Sequence, residues 1–132
     1  MTDRPGMQQR LGELYDARIN GPLERLCSVF APEVRFRIAG TSSGKPIAIA
    51  AQGMEAFRPW LAMLVKTFKL SDHQVLSLLV DGDRAAVHWT ANVHSRITGI
   101  RVQTEFVDLI ELRELQIVSF AEFFVPLGSS PP

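Results

Sequence analysis

The stretch that decides the fold is QTEFVDLIEL (Gln103–Leu112), REL (Arg113–Leu115) and QIVSFAEFFVP (Gln116–Pro126). Its alternation predicts two strands, Gln103–Leu112 and Gln116–Val125, joined by a short turn. Side chains alternate along a strand, so Asp108 shares a face with Phe106 and Ile110, and Glu122 with Phe120 and Phe124. A carboxylate on an apolar face is costly unless something pairs with it or uses it. Two on adjacent strands point to a pocket with acids. Register decides whether they meet. A three-residue loop, Arg113-Glu114-Leu115, sets Asp108 opposite Phe120 and Phe106 opposite Glu122. A two-residue turn at Arg113-Glu114 puts Asp108 with Ser119 instead. The odd loop is preferred, because it collects Phe106, Ile110, Val118, Phe120 and Phe124 inside.

Working back along the chain, Arg84–Arg96 reads as a long strand, with Val87, Trp89, Ala91 and Val93 on one face and His88, Thr90, Asn92 and His94 on the other. Asp81-Gly82 joins it to the strand His73–Val80 as a tight hairpin turn. Upstream, Met54–Phe68 carries Met54, Phe57, Trp60, Leu61, Leu64, Val65 and Phe68 on one apolar helical face. Pro59 should kink this helix or delay its regular start. Met7–Ile19 and Pro22–Phe30 form a helical hairpin broken at Asn20-Gly21-Pro22. Val34–Ala39 alternates as a strand, with Arg35 and Arg37 facing solvent or an interface. Gly40–Gln52 reads as a small-residue loop, a rim or lid. Met1–Gly6 and Gly128–Pro132 read as loose ends, leaving an ordered core of about 7–126. The fold class is α+β: three helices covering one face of a long, curved, mostly antiparallel sheet.

A length of 132 residues suits one domain with a good core. Fourteen acids balance fourteen bases, so no net field favours nucleic acid or an anionic membrane. No apolar run is long enough to span a bilayer. The first residues lack the apolar region of a signal peptide, so a cytoplasmic location is expected. Cys27 is the lone cysteine and shares a helical stripe with Leu23, Leu26 and Phe30; it reads as an inert core thiol. His88 and His94 have no carboxylate near them in the pattern, so no metal site is expected. His73 reads as a surface residue.

Three segments together resemble the nuclear transport factor 2-like superfamily, and its SnoaL-like branch in particular. They are Leu14-Tyr15 through Leu26–Pro32 into Val34-Arg35-Phe36; Gln52–Phe57; and Asp81–Thr90 with the final hairpin, spanning about residues 10 to 126. The resemblance implies a curved sheet wrapped round a long helix, a conical apolar pocket and usually a dimer, and a single such domain over residues 1–132. The superfamily includes ketosteroid isomerase, limonene-epoxide hydrolase, polyketide cyclases and scytalone dehydratase, and members with no catalysis at all.

Carried over by position, Tyr15 and Asp108 match the oxyanion-binding tyrosine and protonated aspartate of ketosteroid isomerase-like sites, while Ile38 stands where their base would be. Glu122 matches the last-strand acid of limonene-epoxide hydrolase-like and SnoaL-like sites; Trp89 and Ala91 stand where the hydrolase has its Arg and Asp. The resemblance therefore implies catalytic roles for Tyr15, Asp108 and Glu122, with Phe36, Ile38, Trp60, Leu64, Val87, Trp89, Phe106, Phe120 and Phe124 lining the substrate space. The simpler alternatives are a core tyrosine, an Asp108 that only hydrogen-bonds Tyr15 or a backbone amide, and a buried pairing of Glu122 with an arginine such as Arg58. The expected function is binding of an apolar or polycyclic small molecule in the cone of a homodimer built through the outer sheet face. Cofactor-independent acid–base chemistry would act on it, as isomerase, hydratase, epoxide hydrolase or cyclase. The alternative is a non-catalytic carrier or interaction module. Neither nucleic acid, membrane, metal nor cofactor is expected.

Overall fold

The computed structural model describes residues 2–42 and 44–127. Helix α1 spans Arg4–Asn20, so the segment expected to be loose before Met7 is helical from Arg4. Asp3 caps it by accepting the Gly6 N–H at 2.8 Å, and Pro5 falls in the first turn, where its missing N–H costs nothing. At the other end Gly21 takes φ 68 and its N–H donates to the Ala17 carbonyl. The short α2 (Leu23–Ser28) ends before Phe30, which opens strand β1 (Phe30–Ser42).

The expected loop contains a strand. β2 (Lys45–Gln52) pairs antiparallel with β1, Ile38 facing Ile49. Its inward residues Ile47, Ile49 and Ala51 are half-buried and its alternate ones exposed, the pattern of an edge strand. Helix α3 (Met54–Thr67) starts five residues before Pro59, so the proline does not delay it. Strands β3 (Phe68–Asp81), β4 (Arg84–Ser95), β5 (Arg101–Arg113) and β6 (Gln116–Pro126) complete one six-stranded sheet in the order β2-β1-β6-β5-β4-β3. Only β1 and β6 run parallel. Bulges in β3 and β6 break the ladder and bend the sheet around the helices. Gly128–Pro132 lie outside the described residues.

The hairpin register differs from both expected forms. Arg113 pairs with Gln116 across a two-residue turn, Glu114-Leu115, and both turn residues have positive φ. Val118 is then an extra residue on β6, since Leu112 faces Ile117 and Glu111 faces Ser119. The bulge restores the parity that the turn would have lost. Asp108 consequently faces Glu122 itself, not Phe120, and Phe106 faces Phe124.

The core is aromatic where α3 meets β1 and β6. Phe57, fully buried, stacks on Phe36 at 4.0 Å between centroids and meets Phe30 edge-on at 4.9 Å. Gly40 permits the closest crossing: a Cβ there would sit 2.4 Å from the Phe124 carbonyl oxygen. Among the described residues no helix is long and apolar enough to cross a membrane.

Candidate functional site

Four elements converge under α1. On its inward stripe Leu11, Leu14 and Tyr15 are followed by Arg18, at positions that share one helical face. The Tyr15 hydroxyl donates to Asp108 Oδ2 at 2.6 Å, and Trp89 Nε1–H donates to the same oxygen at 2.8 Å. Arg18 grips Glu122 with both terminal nitrogens, Nη2 at 2.8 Å from Oε1 and Nη1 on Oε2. The guanidinium lies 5.4 Å from the Trp89 ring centroid and 5.8 Å from that of Phe106, whose rings stack at 3.9 Å. His73 completes the cluster, its ring 5.2 Å from Tyr15 and 5.1 Å from Trp89. Beside it a groove of 530 Å³ opens between α1 and β3–β4, walled by Leu11, Tyr15, Ile19, His73, Leu78 and Val87 among others.

Charge counting sets the protonation. Asp108 is fully buried and Glu122 is 2% exposed, yet among the described residues one cation, Arg18, pairs with Glu122 and also acts on Asp108. Two ionised carboxylates would leave a buried net negative charge. Asp108 Oδ1 has no donor among the described side chains; its neighbour is Glu122, also an acceptor. One proton between them resolves the clash. Burial first, then the Glu122 carboxylate, holds Asp108 well above the usual carboxylate range, against the opposing pull of Arg18 and the Tyr15 bond. Burial and the adjoining Asp108 likewise push Tyr15 up, so it stays a phenol. Burial alone would lower Arg18; the Glu122 pair outweighs it and raises it. Burial and the Arg18 charge lower His73, leaving a neutral imidazole near pH 7.

The SnoaL-like domain model matches residues 11–120. The chain belongs to the SnoaL-like family. Its fold is that of solved structures at low identity. A Bacillus subtilis protein with a provisional isomerase designation superposes with a TM-score of 0.79 at 16% identity, over 94% of this chain and 89% of that one. An NTF2-like protein of Burkholderia xenovorans LB400 gives 0.75 at 18%, over 94% and 92%. An LEH-like epoxide hydrolase of M. tuberculosis gives 0.71 at 12%, over 91% and 83%. A sequence search of the curated proteins finds no match.

In this SnoaL-like chain Tyr15, Asp108 and Glu122 do come together. Of the expected lining residues, Trp89 and Phe106 adjoin them and Val87 walls the groove. Ile38 stands beside Glu122 in register, Phe36 and Phe120 pack around Phe57, and Phe124 lies over Gly40. Trp60 is 38% exposed on α3 and, like Leu64, stands apart from the groove. Arg58 is not the partner of Glu122; it pairs with Glu24 on α2 and approaches Cys27, whose thiol burial pushes up. His88 does have a carboxylate nearby, Glu105 at 3.1 Å, on the outer face. Among the described residues no three His, Cys, Asp or Glu side chains are placed to hold a metal ion.

Sequence reasoning missed Arg18 and His73. The signal for Arg18 was available: a charge at the next position of the stripe Leu11, Leu14, Tyr15 must find a buried partner. His73 carried no such signal. Strand alternation from Leu70 sends it outward, and a β-bulge reverses that.

Proposed function

We propose that the chain seats an apolar, oxygen-bearing small molecule in the groove beside Tyr15 and moves protons on it with its own side chains. Isomerisation, hydration or epoxide opening, dehydration and ring closure are the reactions this suits. In the reaction the Tyr15 O–H turns from Asp108 to the ligand oxygen, Tyr15 receives the Asp108 proton as it gives up its own, and Glu122, steadied by Arg18, accepts a proton that the ligand releases. The supporting observation is the fully buried Asp108 directly across from Glu122, with Arg18 neutralising only one of them. Ketosteroid isomerase-like sites aim both oxyanion donors at the substrate. Here Tyr15 donates to Asp108 instead, which favours a relay over a paired oxyanion hole.

The rival reading is a non-catalytic carrier. Phe57, fully buried among Phe30, Phe36 and Phe120, and the closed Arg18–Glu122 pair favour it. Carboxyl carbon NMR separates the two. A protonated Asp108 at pH 7 supports proton transfer; an Asp108 titrating near about 3.9, the free value, leaves the carrier.

We further propose a homodimer through the outer sheet face and a location in the cytoplasm. Leu79, Ala86, Leu109 and Ala121 form one row across that face, beside Val107 and Phe123. Leu79 and Leu109 are exposed there, as an apolar surface awaiting a partner would be. The lone thiol suits a reducing compartment.

A further inference from the structure

We propose that the end of the sheet bearing the turn between β4 and β5 docks on an anionic phospholipid bilayer. Ile97 and Ile100 enter the interface, and the lysines and arginines around them hold the headgroup phosphates. The inference goes beyond the groove reading and does not rest on it.

The net charge of zero conceals an uneven spread. Backbone pairing gathers distant segments at this end: Gly40 lies beside Phe124, Pro126 beside Thr104, Arg101 beside His94, and His94 beside Lys69. The C-terminus of α3 joins them, where the Arg96 N–H donates to the Thr67 carbonyl. Residues 40–49, 64–71, 93–104 and 123–127 carry Lys45, Lys66, Lys69, Arg96 and Arg101 and no Asp or Glu. Lys69 and Arg101 flank His94 in one row across the outer face. Among the described residues no ion pair involves Lys45, Lys66, Lys69 or Arg101. Of the acids that border this end, Glu105 already meets His88 at 3.1 Å. The opposite end of the sheet has acids in its turns, at Asp81, Asp83 and Glu114.

The tip inside this basic collar is apolar. Ile97 is 80% exposed and Ile100 57%, and exposed Leu127 lies alongside, its N–H on the Gln103 carbonyl. The turn meanwhile closes its own backbone. Ser95 Oγ accepts the Ile97 and Thr98 N–H groups at 3.3 and 3.2 Å, and the Ser95 carbonyl accepts that of Gly99 at 2.8 Å. Thr98 Oγ1 accepts the Ile100 N–H at 3.2 Å. Each N–H from Ile97 to Ile100 thus keeps its partner when the turn leaves water, which removes the main cost of entering an interface.

These two features together select the partner. Isoleucines gain by leaving water, while lysine and arginine stems lie along the boundary with their charges at the phosphates. A nucleic acid or an acidic peptide would match the cations and leave the isoleucines wet. The proposed dimer row crosses β4 at Ala86, roughly 26 Å along the strand from His94, so the two surfaces do not compete.

Co-sedimentation of the full chain with vesicles tests this, using phosphatidylcholine alone and phosphatidylcholine mixed with phosphatidylserine. Wild type should pellet with the mixed vesicles, release as salt rises, and stay in solution with phosphatidylcholine. Ile97→Ser combined with Ile100→Ser should weaken binding about tenfold or more. Lys69→Gln and Arg101→Gln should each weaken it about fivefold. No binding to the mixed vesicles, equal binding to both kinds, or an isoleucine variant that binds as wild type does overturns the proposal. Capture by polyglutamate but not by the mixed vesicles also overturns it and assigns this end to an acidic protein. Methyl NMR of wild type in bicelles of the mixed lipids, spin-labelled on the acyl chain, needs no variant. Ile97 and Ile100 should broaden while buried Ile117 does not, and equal broadening overturns the proposal.

Discussion

Asp108 lies directly across from Glu122, and the extra residue Val118 is what puts it there. The two-residue turn Glu114-Leu115 by itself would pair Asp108 with Ala121 and turn Glu122 to the other face. The bulge shifts the register by one and brings two carboxyls together in an apolar interior. Burial first, and then that contact, hold Asp108 well above the usual carboxylate range.

Asp108→Asn should therefore fold almost normally. The amide oxygen still accepts from Tyr15 and Trp89, and the amide nitrogen donates to Glu122. Urea denaturation at about pH 4, near the free Asp value, should place it within about 1 kcal/mol of wild type, whereas Asp108→Ala, which strands both donors, should cost roughly 3 kcal/mol. Equal losses for the two variants would mean that Asp108 works as a carboxylate.

The pH dependence has a definite sign. A free Asp binds its proton near about 3.9, while Asp108 in the folded chain holds it to higher pH. Between those values the folded state binds more protons than the unfolded one, so stability falls as pH rises. The contribution is complete below the unfolded value and lost as pH climbs through the folded one. Melting temperatures of Asp108→Asn and wild type should draw apart in favour of the variant from about pH 4 upward.

Arg18→Met leaves Glu122, 2% exposed, as an uncompensated buried charge. The expected loss is about 3–5 kcal/mol in equilibrium unfolding. Adding Glu122→Gln should return much of it, because the stranded charge goes with the change. A double variant no better than Arg18→Met would show that the guanidinium acts through packing on Trp89 and Phe106.

Two glycines should respond oppositely to alanine. At Gly40 the new Cβ falls 2.4 Å from the Phe124 carbonyl oxygen, so Gly40→Ala should cost roughly 2–4 kcal/mol. At Gly12, inside α1, a Cβ meets nothing within 4 Å, and Gly12→Ala should stabilise by about 0.4–1 kcal/mol. Thermal unfolding of both variants checks the pair.

Much of the fold was legible because its signals are local. The strands around Asp108 and Trp89 alternate, and α3 carries a broad apolar face. The first turn of α1 and the whole of β2 were missed for local reasons too. Asp3 caps α1 through a single side-chain contact. β2 is rich in alanine and lies at an edge, where pairing rather than side-chain burial holds the strand. The site was half legible. Tyr15, Asp108 and Glu122 stood out as polar groups on apolar faces, and they do meet. Arg18 was visible in principle on the α1 stripe, but its choice of Glu122 depends on where α1 crosses the sheet.

By itself, then, the sequence determined that Asp108 and Glu122 each lie on an apolar strand face, because periodicity belongs to the chain; Tyr15 joined them only through the family resemblance. Tertiary structure decided how those groups share charge. Whether Glu122 meets Arg18 or Arg58, and whether His73 faces solvent or the groove, turns on bulges at Val118 and Asp72. A bulge shifts register by one residue, and one residue reverses every face beyond it. Its cost and its benefit lie in contacts between distant segments, which no local pattern records.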